Sequence, residues 1–178
     1  MNTRRTEPDL YPVDEAHAKV AAGIIVACAV ILAIAWGFEL IGGFMPCKLC
    51  LEQREGYYTA IPLLAVALTV IAMQGPACAT RGLMAVAGLA LAMSMVTGLY
   101  QAGAEWGWWL GPNDCGTGAG PTVSGSSLLD EIAETTIIFC DEAPIRILGL
   151  SFAGWNVLVA GPLAALALLA SLWPPKSA

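Results

Sequence analysis

Four of the six cysteines in this chain sit where they can do redox chemistry. Cys47 and Cys50 form a C-x-x-C motif within Pro46-Cys47-Lys48-Leu49-Cys50, and Cys115 and Cys140 lie further on in a long polar stretch. A structural staple needs only one pair. A C-x-x-C beside a second, long-loop pair has the layout of a disulfide passed on by thiol exchange, a relay that needs an electron acceptor beyond the thiols.

Pro46 disfavours helical backbone at Met45, so a helix is expected to begin near Cys47, with both sulfurs on one face of its first turn. The unpaired amides and dipole of a helix N-terminus favour a thiolate, as does a guanidinium one turn on at Arg54. Cys50 is therefore the expected low-pKa sulfur. Arg54 itself has two readings: a donor fork that polarises a quinone carbonyl as negative charge develops, or an anchor snorkelling to head groups. Zinc also uses C-x-x-C, but the single histidine, His17, is expected on the opposite side of the membrane, and no metal is expected.

Cys115 follows Gly111-Pro112-Asn113-Asp114, a run of turn formers that a partner protein can reach. Before Cys140, Ser127 and Asp130 have capping-box-like spacing, and Leu128, Leu129, Ile132 and Ile138 suit a short interfacial helix. Closing this loop as a static disulfide would add about 3–4 kcal/mol by chain entropy, so a purely structural role stays open from these residues alone. Trp106, Trp108, Trp109 and Trp155 suit an interfacial aromatic belt, and Tyr57 and Tyr58 suit either that belt or a pocket wall.

The elements that must carry these groups are legible from composition. Residues are 57% hydrophobic and 12% charged, and the apolar ones fall in long blocks at about 20–41, 57–73, 83–103 and 152–173. Each block approaches the ~20 residues that cross a bilayer as helix. An all-α, four-transmembrane-helix bundle forming one domain over 1–178 is expected, with close approach at Gly88, Ala92, Gly98 and Ala102. The first eighteen residues do not read as a cleavable signal peptide. Arg4, Arg5, Lys19, Arg81 and Lys176 fall on one side of the bundle, against Lys48, Arg54 and Arg146 on the other, which places both termini in the cytoplasm and the four cysteines outside. Cys28, in the first block, and Cys78, in the cytoplasmic turn, are expected to be inert. The net charge of −6 argues against nucleic acid as a partner.

Four segments together resemble the DsbB family of bacterial disulfide bond formation proteins: Pro46-Cys47-Lys48-Leu49-Cys50-Leu51-Glu52-Gln53-Arg54, Trp109-Leu110-Gly111-Pro112-Asn113-Asp114-Cys115, Cys140-Asp141-Glu142-Ala143-Pro144, and Leu148-Gly149-Leu150-Ser151-Phe152-Ala153-Gly154-Trp155-Asn156. The resemblance implies an inner-membrane bundle that reoxidises a periplasmic DsbA-like thiol oxidase and delivers electrons to ubiquinone or menaquinone. It implies that the partner attacks Cys115 of a Cys115–Cys140 disulfide, that Cys47 exchanges with the loop pair, and that Cys50 faces the quinone with Arg54 beside it. One departure lies at Gln101, where relatives often carry histidine. Gln101 can donate a hydrogen bond to a quinone carbonyl but cannot shuttle a proton as histidine does. Glu105 then reads as either a proton source or a plain interfacial carboxylate.

A strong terminal oxidant is required on thermodynamic grounds. A strongly oxidising partner disulfide lies near about −120 mV, so reoxidising it with an ordinary structural disulfide below about −300 mV would be uphill by roughly 8 kcal/mol. The chain has no dinucleotide fingerprint and no C-x-x-C-H for haem attachment, which leaves a lipid-soluble acceptor as the simplest choice. Two alternatives stand beside this reading. One is a quinone reductase of the vitamin K epoxide reductase type, disfavoured by the order of the cysteine pairs; the other is a non-enzymatic membrane scaffold with static disulfides.

Overall fold

The structure, a computed structural model, describes residues 15–112 and 143–172. Within them lie α1 (Glu15–Leu40), α2 (Lys48–Ala72), α3 (Ala77–Glu105) and α4 (Phe152–Leu172), each long and apolar enough to cross a membrane. The protein is thus a multi-pass, all-helical membrane protein. In hydrocarbon the backbone amides must be satisfied within the protein, and apolar runs of about 20 residues do so as helices despite their β-branched content. Pro62 in α2 and Pro162 in α4 are accommodated inside the spans.

α3 packs against both α2 and α4, whereas α1 packs mainly on α2 and touches α4 more lightly. The core follows from helical spacing. On α1, Ala21, Ile24, Cys28 and Leu32 form one buried stripe, which meets Tyr57, Ala60, Leu64 and Ala67 of α2 and Met84, Ala87 and Leu91 of α3. Val26, Val30, Leu89, Met93, Leu166 and Leu169 point outward, as lipid-facing side chains must.

Small residues set the helix spacing. A Cβ on Gly88 would lie 2.8 Å from Leu168, and one on Gly98 would crowd Asn156, Gln53 and Ala153, so two of the expected close approaches are present. α2 and α3 also approach closely at Gly56, where a Cβ would meet the Ala90 carbonyl oxygen at 2.6 Å. The turn between α1 and α2 passes through Gly43 at φ +71, a left-handed conformation suited to glycine.

α2 begins at Lys48, next to the start expected from Pro46 and well ahead of the apolar block at about 57–73, so its first turns carry the polar residues of the C-x-x-C segment into the bundle. Residue 173 and the segment holding Cys115, Cys140 and the expected interfacial helix lie outside the described residues.

Candidate disulfide and quinone site

Pro46 ends the extended entry, and Cys47 is the N-cap of α2, its sulfur accepting from the Cys50 amide at 3.2 Å. Cys47 and Cys50 lie at disulfide distance, with Cα atoms 5.0 Å apart. The helix start and the shared face of the two sulfurs match the expectation from Pro46 and the spacing. Cys47 is buried, while Cys50 is partly exposed.

What Cys50 faces is a cavity of about 400 Å³ between α1, α2 and α4. It forms because α1 leans on α2 and diverges from α4, leaving a gap that Phe38, Phe44 and Phe152 close with an edge-on aromatic triad, Phe38 and Phe152 having centroids 4.8 Å apart. Its wall is largely aliphatic and aromatic, with Gln53, Arg54, Tyr57 and Asn156 as polar groups. This is the general make-up of a small-molecule pocket, and it suits a flat, apolar head group with polar carbonyls.

Arg54 is on that wall. Its side chain is 13% exposed and forms a 2.5 Å ion pair with Glu39 of α1. Its second guanidinium nitrogen lies 3.4 Å from the Ala35 carbonyl, and the group sits 5.8 Å from the Trp36 ring centroid. One turn of α1 therefore supplies all three partners of the charge, and the Trp36 indole donates to the Tyr58 hydroxyl at 2.7 Å, tying α1 to α2. Glu39 was not among the residues singled out from sequence; a carboxylate closing an apolar block was the available signal.

Gln101 is not on the cavity wall. It is 3% exposed behind the disulfide, with its amide nitrogen 3.5 Å from both sulfurs. Gln53, which does line the cavity, donates to Gln101 Oε1 at 2.7 Å, so any link between Gln101 and the cavity runs through Gln53. One turn along α3, Glu105 Oε1 accepts from Gln101 at 3.3 Å, and its other oxygen is buried.

The two tyrosines divide. Tyr57 is buried on the cavity wall and donates to Asn156 Oδ1 at 2.5 Å, while Tyr58 is exposed. Asn156 in turn donates to the Ser94 carbonyl at 2.9 Å, and Ser94 donates to the Gln53 carbonyl at 2.6 Å, a chain that ties α2, α3 and α4 beside the site. Trp106, Trp108 and Trp109 are exposed after α3, as an interfacial belt would be, but Trp155 turns inward to the cavity and donates to the Ile147 carbonyl at 3.0 Å. Among the described residues no group of His, Cys, Asp and Glu is arranged to hold a metal. Cys28 is buried and Cys78 exposed, both as free thiols.

The family described as Disulfide bond formation protein DsbB matches residues 17–170. The chain is also 33% identical to Disulfide bond formation protein B of Marinobacter nauticus over 148 residues, covering 76% of this chain and 80% of the relative. No solved structure matches it. With a C-x-x-C disulfide capping the second of four membrane-spanning helices and a family match that covers all four, the chain belongs to the DsbB family of disulfide bond formation proteins.

Proposed function

We propose that this protein is a thiol:quinone oxidoreductase of the bacterial inner membrane, which reoxidises a DsbA-like periplasmic thiol oxidase and passes the electrons to ubiquinone or menaquinone. The observation that carries the reading is the position of Cys50, joined to Cys47 on one side and facing an apolar cavity that also presents Arg54 on the other. Both termini are cytoplasmic on this reading, and the cysteine pairs face the periplasm.

The exchange steps balance as ordinary thiol–disulfide chemistry. A partner thiolate attacks Cys115, forming a mixed disulfide and releasing Cys140 as a thiolate; the partner's second thiolate then displaces Cys115 and leaves the partner oxidised. A thiolate of the reduced loop pair attacks Cys47, the Cys47–Cys50 bond breaks, and its electron pair stays on Cys50. The other loop thiolate then displaces Cys47, which regenerates the loop disulfide and leaves Cys47 and Cys50 reduced.

A bound quinone supplies the two-electron, two-proton acceptor. Cys50, Arg54, Gln53 and the aromatic triad would hold it. Arg54 contributes a fixed positive donor fork on the wall, whose orientation is set by Glu39 rather than by solvent. The aliphatic and aromatic wall surrounds the cavity face of the sulfur that carries the charge. The test is optical: quinone reduction by the purified protein in detergent after addition of a reduced dithiol oxidase. Turnover that disappears in both Cys47→Ser and Cys115→Ser supports the relay; turnover that survives either change refutes it.

A further inference from the structure

The polar array behind the disulfide meets the cavity only through Cys50 and Gln53 among the groups named above. Cys47, Gln101 and Glu105 do not line that cavity, yet Gln101 reaches both sulfurs and Glu105 reaches Gln101. A glutamine buried to 3% exposure in a membrane bundle must satisfy an amide with two donors and one acceptor. Here every group has a role. Gln53 donates to the Gln101 oxygen, the Glu105 carboxylate takes an amide hydrogen, and the sulfurs remain for the other.

We propose that Gln101 is a catalytic residue of the Cys47–Cys50 couple, its amide donating to the thiolate that forms when the disulfide opens, and that Glu105 is the residue that positions it. The inference deepens the proposed exchange at Cys47 and Cys50 and rests on it. An incoming thiolate bonds to Cys47, the Cys47–Cys50 bond breaks, and the electron pair is left on the Cys50 sulfur. The amide hydrogen that met a neutral disulfide sulfur at a loose 3.5 Å separation then faces an anion, and charge-assisted hydrogen bonds are about twice as strong as neutral ones. The amide is thus better matched to the reduced state than to the oxidised one. Stabilising the reduced state raises the reduction potential, which is what a pair drawing electrons from a strong oxidant requires.

Glu105 and Gln53 set the amide so that its NH2 group is the nearer end to the sulfurs, at 3.5 Å, with the oxygen 3.8 Å from Cys50 Sγ. Turned over, Gln101 would set its oxygen against an acceptor oxygen of Glu105 and its NH2 against the NH2 of Gln53. Even if Gln53 turned as well, the clash with Glu105 would persist. The surroundings of Glu105 keep it in place: Arg146 Nη2 donates to its backbone carbonyl at 3.3 Å, and Ser151, buried at the start of α4, lies beside the carboxylate. The Arg54 guanidinium is instead engaged by Glu39, Ala35 and Trp36 of α1.

The test uses the full-length protein with Cys115→Ala and Cys140→Ala, in detergent, without quinone or partner. The Cys47–Cys50 couple is titrated in dithiothreitol buffers and read by thiol alkylation, with the pH profile of Cys50 alkylation measured alongside. Gln101→Leu should lower the equilibrium constant for reduction by about tenfold, a shift of about 30 mV for a two-electron couple, and move the alkylation profile to higher pH. Glu105→Gln keeps the packing but removes the orientation lock, and should give a shift of the same sign and a few-fold size, with Glu105→Asp closer to the parent. Unchanged potential and profile in both Gln101→Leu and Glu105→Gln would overturn the inference while leaving the exchange reading intact. A couple in the parent protein that cannot be reduced at all would instead overturn the exchange reading itself.

Discussion

The Arg54–Glu39 pair gives the most quantitative prediction. Removing one partner of a fully buried ion pair costs about 3–5 kcal/mol. An exposed pair contributes roughly 0.2–1 kcal/mol. With side chains 13% and 23% exposed, this pair lies nearer the buried limit. The Ala35 carbonyl and the Trp36 ring still face the guanidinium when the carboxylate is gone, which softens the loss. Glu39→Gln should therefore destabilise the protein by about 2 kcal/mol, and Arg54→Met, which strands the carboxylate, by a similar amount. The double variant Arg54→Met with Glu39→Gln removes both charges and should cost well under the sum, leaving a coupling of about 1.5 kcal/mol. The assay is reversible denaturant unfolding in mixed micelles for the four members of the cycle. Single-variant costs that add to within about 0.5 kcal/mol would show that the pair is not coupled and would refute its assignment as the support of the Arg54 fork.

Three further outcomes follow from the geometry. Gly56→Ala brings a Cβ to 2.6 Å from the Ala90 carbonyl oxygen and should cost about 1–3 kcal/mol by forcing α2 off α3, measured by the same unfolding assay; the same change at Gly23, where a Cβ meets nothing within 4 Å, should be nearly neutral. Tyr57→Phe deletes the hydroxyl that donates to Asn156 and should destabilise by about 1–2 kcal/mol, with a raised KM for quinone because both residues line the cavity. Cys50→Ser should abolish quinone reduction while still permitting a Cys115–Cys140 disulfide, which alkylation and mass analysis would detect; full turnover in that variant would contradict the assigned electron route.

Much of the fold was written in the chain because the membrane imposes so few solutions. Four apolar blocks of spanning length become four helices, and Pro46 with a three-residue cysteine spacing fixes where α2 begins and which face its sulfurs share. The reach of α2 back to Lys48 was less visible in hydropathy, since its first turns carry Glu52, Gln53, Arg54 and Glu55. Depth and rotational phase across helices were not legible either. Glu39 and Arg54 lie fifteen positions apart on different helices and meet only because the turn through Gly43 folds α1 back onto α2. Gln53 reads as one polar residue among several, and only the packing of α2 on α3 at Gly56 sets it between the cavity and Gln101. The same packing turns Gln101 toward the sulfurs and away from the cavity, where the family resemblance alone had suggested a quinone contact.

The most direct test of the central claim is an anaerobic single-turnover experiment in which reduced dithiol oxidase, the purified protein and one quinone are mixed and both products are counted in the same sample. The account predicts one quinol for each disulfide formed in the partner, with none formed when Cys50 is replaced by serine. Partner oxidation without matching quinol, or quinol formed without Cys50, would contradict it.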